Sequence, residues 1–273
     1  MTSAFNAKAV YVVGGSSGIG LAAAERLAAH GARLVLLARR EAPLTEAAQR
    51  VRRAGAQEVV VRSLDVTDDA GVRATLAELV DSFGAPDLLV QCAGRARPHR
   101  IEDLDVAAFE ATLRANLVGT FSVVSALLPS MRARGRGHIV TVSSIGGFIG
   151  VYGYTDYCAA KFGVIGFSEA LRQEVARDGI GVSVLCPPDT DTPGFALENE
   201  TKPAETEALS GKVELMTADA VAQALLRGVQ RRQFLIIPGR DGRLTHLAKR
   251  FVPGVVDRVM LRTIRKLGKS SAK

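Results

Sequence analysis

Tyr157 and Lys161 are the residues whose types and spacing most directly suggest chemistry. They lie four positions apart, so a helix beginning near Thr155 would place both side chains on one face, one turn apart. A lysine cation beside a phenol favours the phenolate, so we expect Lys161 to lower the pKa of Tyr157 from its reference of about 10. A tyrosine tuned in this way can donate or accept a proton near neutral pH.

Ser144 lies upstream of this pair, directly after an apolar run at residues 137–143 that predicts a strand. Its hydroxyl can hydrogen-bond the same reacting oxygen as the phenol. A tyrosine and a lysine four apart are more often a solvated pair on a helix surface, so the assignment depends on the rest of the chain.

A glycine-rich turn follows the first predicted strand, residues 8–13. Gly14 permits a tight turn, Gly18 leaves room for a pyrophosphate close to the backbone, and Gly20 lets the following helix pack closely on a sheet. The free N–H groups and the dipole of that helix's N-terminus favour phosphate. Strand, glycine turn and helix together predict a dinucleotide site rather than a purely structural turn.

The end of the second predicted strand indicates which dinucleotide binds. Chains that bind NAD usually carry an acidic residue there for the ribose 2′-hydroxyl, but this chain has Ala38 followed by Arg39 and Arg40. An arginine suits a 2′-phosphate through charge-assisted hydrogen bonds, so NADP is predicted. The alternative is two surface arginines at the start of a helix.

Strands alternate with helices along the chain, which predicts an α/β fold. We expect a Rossmann-like, doubly wound parallel sheet of about seven strands with helices on both faces and ligands at the carboxyl ends of the strands. The predicted strands are residues 8–13, 33–38, 58–62, 87–91, 137–143, 182–185 and 234–237. Asn116 falls within a long helical region, where asparagine is unfavourable, so either a polar role or a tolerated surface position is expected for it.

Composition predicts one globular catalytic domain, because 47% of the 273 residues are hydrophobic and 23% are charged. The cysteines Cys92, Cys158 and Cys186 are far apart, as in a protein of a reducing compartment such as the cytoplasm. The four histidines lack metal-ligand spacing, so no metal site is expected. We also expect no signal peptide and no spanning helix, since no run of 18 uncharged apolar residues occurs.

The basic character of the chain is concentrated in its tail. Residues 240–273 contain ten Lys or Arg and two Asp, a balance of +8, whereas the whole chain carries +7. Apolar stripes at helical spacing occupy residues 244–252 and 255–267, on either side of Pro253 and Gly254. A basic amphipathic helix predicts a peripheral position on an anionic membrane; a dimer arm or a helix packed on its own core is the competing interpretation. No nucleic-acid-binding module is recognisable.

Taken together, these motifs resemble the short-chain dehydrogenases/reductases over roughly residues 8–238. They occur in the family's order and comprise the glycines Gly14, Gly18 and Gly20, the Cys92-Ala93-Gly94 turn, Asn116, Ser144, Tyr157 and Lys161. The resemblance implies a Rossmann-like fold and hydride transfer between a nicotinamide and a carbonyl or alcohol. Homo-oligomers are common in the family, so a homo-oligomer is expected by resemblance alone.

The resemblance also implies roles for individual residues. Tyr157 would be the general acid in reduction, Ser144 would orient the carbonyl and stabilise its developing charge, and Lys161 would hold the ribose and lower the tyrosine pKa. Asn116 would place a water in a proton relay. The residues assigned to the cofactor are Gly14, Ser16, Ser17, Gly18, Ile19, Gly20, Arg39 (2′-phosphate), Asp65 and Val66 (adenine), Ala93, Gly94, Tyr157, Lys161, Pro187, Thr190 and Thr192 (the last two toward the nicotinamide amide).

Residues 187–206 are the most specific feature of the sequence. They resemble one branch of the family, which reduces the 3-keto group of a long-chain amino ketone with NADPH. The long loop predicts a lid at about residues 188–216 on a catalytic domain of residues 1–239, with residues 240–273 as the tail. The alternatives are a reductase of another lipid ketone, such as a 3-oxoacyl thioester, or an NADP-binding sensor without turnover.

The lid is acidic. Glu198, Glu200, Glu205 and Glu207 lie within ten residues. One hypothesis is that one of these glutamates meets the substrate's ammonium group; the alternative is a solvated lid helix.

Overall fold

Short apolar runs form the strands of a parallel sheet, since strands covered by helices on both faces are apolar along their length. The computed structural model describes residues 5–210 and 215–270. The strands are β1 (Ala9–Val13), β2 (Arg33–Ala38), β3 (Glu58–Ser63), β4 (Leu88–Gln91), β5 (Gly137–Val142), β6 (Ile180–Leu185), β7 (Thr190–Asp191), β8 (Met216–Thr217) and β9 (Leu235–Ile236). Seven form one sheet in the order β3-β2-β1-β4-β5-β6-β9, and β7 pairs separately with β8.

Helices connect successive strands and cover both faces of the main sheet. They are α1 (Gly18–Ala28), α2 (Glu41–Arg53), α3 (Asp69–Phe83), α4 (Val106–Leu113), α5 (Gly119–Arg134), α6 (Thr155–Glu174), α7 (Pro193–Asn199), α8 (Ala204–Ser210), α9 (Ala218–Gln230), α10 (Arg240–Phe251) and α11 (Pro253–Ser270). Short 3₁₀ turns occur at Ile101–Asp103 and Ile145–Gly147. The predicted Rossmann-like α/β fold is confirmed.

The two faces of the sheet bury separate apolar cores, because side chains alternate along each strand. On β1, Val10 and Val12 pack with α1, α2 and α9, whereas Tyr11 and Val13 pack with α3 and α5. The buried Tyr11 hydroxyl lies 3.0 Å from the carbonyl oxygen of Leu79 and 2.9 Å from that of Gly84, so the phenol has acceptors within the core.

The order of the strands places a crevice beside β1. The chain crosses from β1 to β2 on one side and reaches β4 on the other, all in parallel register. The turns after β1 and β4 therefore diverge at the carboxyl edge of the sheet, where ligands of such folds bind.

A π-helical turn at Arg114–Val118 joins α4 to α5 and contains Asn116. Within the described residues, the combined stretch Val106–Arg134 is the one helix long and apolar enough to cross a membrane by length and composition. Half of its apolar window, 50%, is buried inside the fold, and it packs on α3 and α6. We therefore interpret it as a core helix.

The predicted lid contains β7, α7, α8 and β8; its residues 211–214 lie outside the described part of the chain. The tail forms the two helices that its apolar stripes predict, α10 and α11, which meet at Pro253. The side chain of Leu267, at the end of the second stripe, also lies outside the described residues. Helix α11 packs on α10 and on the lid helix α8, so the tail touches the body.

Two helical glycines allow a test of the turn after β1. A Cβ at Gly20 would collide with the carbonyl oxygen of Gly14, whereas a Cβ at Gly166, on α6, would meet nothing within 4 Å. We predict that Gly20→Ala lowers the free energy of unfolding by about 1–3 kcal/mol through overpacking. Gly166→Ala should raise it by up to about 1 kcal/mol through helix propensity. Urea unfolding measures both, and equal effects would contradict the close approach at Gly20.

Candidate active site

The carboxyl edge of the sheet carries a cavity of 1340 Å³. Every residue predicted above for catalysis or cofactor binding lines it, from Gly14 after β1 to Thr192 in the lid. Ligand cavities commonly measure about 300–1,000 Å³, so this one has room for a dinucleotide and a second molecule.

Lys161 lines this cavity. It is one turn from Tyr157 on α6 and only 5% exposed, and its Nζ donates to the carbonyl oxygen of Val142 over 2.9 Å. The Nζ atom is also 5.4 Å from the centroid of the Tyr157 ring. Burial lowers the pKa of Lys161 to about 8, because water no longer stabilises the ammonium.

The pKa of Tyr157 corrects the expectation from sequence. It is raised above its ordinary value, chiefly because burial disfavours the phenolate, and the Glu198 carboxylate raises it further. A hydrogen bond with Ser144 acts in the opposite direction without offsetting these effects. The expected lowering by Lys161 is therefore wrong for this site, because burial and the carboxylates of Glu198 and Asp189 raise the pKa. Tyr157 keeps its proton throughout the neutral range.

Ser144 begins the 3₁₀ turn after β5, and its Oγ accepts a 3.1 Å hydrogen bond from the N–H of Gly146. That bond fixes the side chain at the strand end facing Tyr157. The neighbouring Ser143 donates to the carbonyl oxygen of Lys161 over 2.8 Å, which joins the end of β5 to α6. The two serines thus hold the strand end against the helix that carries the tyrosine and the lysine.

Asn116 is 1% exposed, so it is not a tolerated surface residue. Its Nδ2 donates to the carbonyl oxygens of Arg95 and Thr112, at 2.8 and 3.0 Å, and its Oδ1 accepts from the N–H of Arg95 at 3.2 Å. The π-helical turn brings this amide to the loop after β4, where Gly94 leaves room for it: a Cβ at Gly94 would lie 2.5 Å from Oδ1. The side chain therefore positions that loop; the water relay stays a prediction.

The residues around the glycine turn fit a dinucleotide. Gly14 and Gly18 have φ of +83° and +54°, which glycine adopts readily. A Cβ at Gly14 would lie 2.8 Å from the N of Ala93, so the turns after β1 and β4 are in direct contact. Ser17, at the N-cap of α1, makes no side-chain capping bond to that helix, which leaves its first N–H groups for a phosphate. Ser16 and Ile19 line the cavity between these glycines.

The predicted adenine end of the site lies after β2 and β3. Arg39 and Arg40 are exposed at the cavity wall. Asp65 faces them beside Val66, and its Oδ1 accepts from the N–H and the hydroxyl of Thr67 at 2.9 and 2.8 Å. Although burial favours the protonated acid, these bonds and the charges of Arg39 and Arg95 hold the pKa of Asp65 below its ordinary value. Asp65 is thus ionised beside Arg39 at neutral pH.

The start of the lid covers the glycine turn. Thr192 caps α7 by accepting a 3.1 Å bond from the N–H of Phe195, and its Cγ2 would lie 3.1 Å from a Cβ on Gly18. Thr190 is buried, and its hydroxyl donates to the carbonyl oxygen of Pro188 over 2.7 Å. The carbonyl of Pro187, directly before the lid, accepts from the N–H of Ile145 at 3.1 Å, which ties the start of the lid to the turn after Ser144.

Several lining residues were not predicted as part of the site. Tyr154 packs its ring 5.7 Å from that of Tyr157, and its hydroxyl donates to Glu198 in α7. The lid and the tail also contribute apolar side chains to the cavity wall; these are Leu197, Leu209, Leu244, Val255, Val256, Val259 and Met260. The amphipathic pattern of the tail indicated an apolar face but carried no sign that the face lines this cavity.

Comparison with known proteins agrees with this geometry. The short chain dehydrogenase family profile matches residues 8–203. A 3-ketodihydrosphingosine reductase of Bos taurus is 37% identical over 237 residues, which are 85% of this chain and 71% of the relative. A 3-dehydrosphinganine reductase of Danio rerio is 37% identical over 241 residues, or 87% of this chain and 73% of the relative.

A solved structure, that of levodione reductase, superimposes with a TM-score of 0.79 at 27% sequence identity and covers 88% of this chain and 99% of its own. The family match, the relatives and the shared fold agree with one another. The chain therefore belongs to the short-chain dehydrogenase/reductase family, the NAD(P)-dependent oxidoreductases that interconvert carbonyl and alcohol groups.

Proposed function

We propose that this protein reduces the 3-keto group of 3-ketodihydrosphingosine to dihydrosphingosine with NADPH, a step of sphingolipid synthesis. Relatives from animals and plants that are 36–38% identical carry the names of that reductase. The substrate is a long alkyl chain that bears a ketone and an ammonium group at one end. The site must therefore combine a reducing centre with a long apolar wall.

One observation carries the proposal most strongly. Ser144, Tyr157 and Lys161 line a cavity to which the lid and α10–α11 add a group of apolar side chains. A reactive head beside the first three residues and a hydrocarbon chain along the apolar side chains match this arrangement. An enzyme of small polar ketones would not need the apolar wall.

The polar residues of the cavity have distinct roles in this proposal. NADPH, when bound, would supply a hydride to the carbonyl carbon. Tyr157, which holds its proton at neutral pH, donates it to the carbonyl oxygen, while the Ser144 hydroxyl orients that oxygen and stabilises its developing charge. Lys161 contributes its cation beside the phenol and holds the ribose. Asn116 fixes the loop after β4 and places the water of a proton relay.

Preference for NADPH rests on Arg39 and Arg40. Both line the cavity at the end of β2, where an acidic residue for a 2′-hydroxyl is missing. Arg39, whose charge helps to lower the pKa of Asp65, is the proposed partner of the 2′-phosphate.

The tail is proposed to bring the site to a membrane surface. Val255, Val259 and Leu261 of α11 are 50–60% exposed, and Arg258, Arg262 and Arg265 of the same helix are exposed too. Apolar and basic side chains on one helix suit an anionic lipid surface. Since α11 also lines the cavity, a substrate dissolved in the membrane would enter beside it.

A homo-oligomer is proposed as well. Phe121 on α5 and Phe162 on α6 are 50% and 46% exposed. Phe121 packs edge-on against Phe167 at 6.3 Å, so α5 and α6 form one surface with apolar rings. Such a surface suits contact with a second copy.

The proposed reaction is tested by following NADPH oxidation with 3-ketodihydrosphingosine. We predict that Tyr157→Phe lowers kcat by about 10²–10⁴-fold, because the proton donor is lost, while NADPH still binds. Tyr152→Phe is the matched control; its hydroxyl lies 3.4 Å from Glu205, away from the reacting centre, and it should retain most activity.

The outcome separates the proposal from its rivals. Turnover with a 3-oxoacyl thioester but not with the amino ketone would indicate another lipid ketone as substrate. Binding of NADPH without turnover of either ketone would indicate a sensor. Full activity in Tyr157→Phe would show that Tyr157 is not the proton donor.

A second prediction concerns the cofactor. Arg39→Ser should raise the KM for NADPH by about 10- to 100-fold, since a charge-assisted hydrogen bond is worth about 1.5–3 kcal/mol, and leave the KM for NADH nearly unchanged. Arg53→Ser, at the exposed end of α2, is the control. Steady-state kinetics with both cofactors measure this, and equal changes for NADPH and NADH would contradict a 2′-phosphate contact.

A third prediction concerns the tail. Replacing Arg258, Arg262 and Arg265 together by Gln should weaken binding to anionic vesicles by roughly 100-fold, at about 1 kcal/mol per charge. Neutralising Arg52, Arg53 and Arg177, which are exposed on other elements, is the control. Vesicle sedimentation gives the affinities. Unchanged binding in the tail variant would argue against the membrane role.

A further inference from the structure

We propose that Glu198, held by Tyr154, forms the subsite that binds the ammonium group of the substrate. This inference rests on the proposed function and assigns a specificity role within the same cavity. It selects one of the four lid glutamates for the role.

The position of Glu198 is set by Tyr154, whose ring packs beside that of Tyr157. Tyr154 is 7% exposed, and its hydroxyl donates to Oε1 of Glu198. The ring of Tyr154 lies 5.7 Å from the ring of Tyr157, tilted by 56°. Glu198 itself lines the cavity that contains Tyr157 and Ser144. The carboxylate therefore lies one aromatic ring away from the reacting centre.

The other three lid glutamates have different surroundings. Glu205 pairs with Arg100 at 2.9 Å and lies 3.4 Å from the Tyr152 hydroxyl, so its charge is already compensated. Glu200 and Glu207 are exposed to solvent. Glu198 alone among the four combines partial burial with a place on the cavity wall beside Tyr157.

The charge of Glu198 lacks a direct counterion. Among the side chains that the structure describes, it forms no ion pair. The nearby Lys202 instead lies over the ring of Phe195, 4.4 Å from its centroid, and Lys161 donates to Val142. Asp189 also lines the cavity and adds a second carboxylate. Burial raises the pKa of Glu198, although the Tyr154 hydrogen bond and the charges of Lys202 and Lys161 act against this, so a cationic ligand beside it would stabilise the carboxylate and gain a charge-assisted contact.

The chemistry of the substrate matches this arrangement. Its ammonium-bearing carbon is bonded directly to the carbonyl carbon. When the carbonyl oxygen meets Tyr157 and Ser144, the ammonium group must lie within a few ångströms of them. Tyr154 fills one side of that space and presents Glu198 at its edge. A neutral ketone would leave the carboxylate without a partner.

Contact between the substrate ammonium and Glu198 would also affect Tyr157, the proposed proton donor. Glu198 raises the pKa of Tyr157, so the free site holds its proton tightly. An ammonium group beside Glu198 would cancel much of that field and make Tyr157 a better donor. The cationic substrate thus gains both binding and proton transfer from one carboxylate.

The test compares two ketones of equal chain length, the amino ketone and its analogue without the amine, in the full-length protein. Glu198→Gln should lower kcat/KM for the amino ketone by about 10- to 100-fold. It should leave the neutral ketone unchanged or faster, since Tyr157 is relieved of the negative charge. Tyr154→Phe, which removes the hydroxyl that orients Glu198, should lower the kcat/KM for the amino ketone relative to that for the neutral ketone by a smaller factor. Glu207→Gln should change neither rate.

Equal losses for both ketones in Glu198→Gln would overturn the subsite and assign Glu198 a structural role. A binding measurement keeps the inference separate from the proposed reaction. In the NADP-loaded protein, a long-chain primary amine should bind more tightly than the matching alcohol, and Glu198→Gln should abolish that preference. If neither ketone is reduced, the proposed reaction is wrong, but the binding of the amine and the alcohol still tests the subsite. Equal binding of the two would overturn the subsite.

Discussion

The burial of the Lys161 ammonium is the constraint on which the rest of the site depends. A charge 5% exposed is costly unless polar groups surround it. The Val142 carbonyl at the end of β5 accepts from it, and Gly94 leaves space beside it: a Cβ there would lie 3.4 Å from Nζ. These contacts place α6 at the carboxyl ends of β4 and β5. The neighbouring turn of α6 then brings Tyr157 into the crevice.

Much of this arrangement could be predicted from sequence because it is local. The glycine turn, the seven strands of the main sheet and the spacing of Tyr157 and Lys161 each follow from backbone conformation or periodicity within a few residues. The sign of the Tyr157 pKa shift could not, because it depends on burial by elements distant in the chain. Glu198 illustrates this, since it lies 41 positions from Tyr157 in sequence yet raises its pKa.

The tail shows a similar limit of prediction from the sequence. Its amphipathic pattern predicted helices and an apolar face, but a periodic stripe does not state what the face contacts. In the structure α11 packs on the lid helix α8 and contributes Val255 and Val259 to the cavity while leaving them half-exposed. Lid and tail therefore form one wall. That wall includes the half-exposed apolar side chains of α11 and lies in the same cavity as the reacting centre.

The pH dependence of reduction tests the central role of the lysine and tyrosine pair most directly. With a pKa of about 8, Lys161 is charged below that pH and neutral above it, whereas Tyr157 keeps its proton throughout this range. The kcat/KM at limiting NADPH reports the free enzyme. We predict that it is level near neutrality and falls as the pH rises through about 8. A rate that rises with pH across this range would contradict the account, because it would require loss of a proton for reduction.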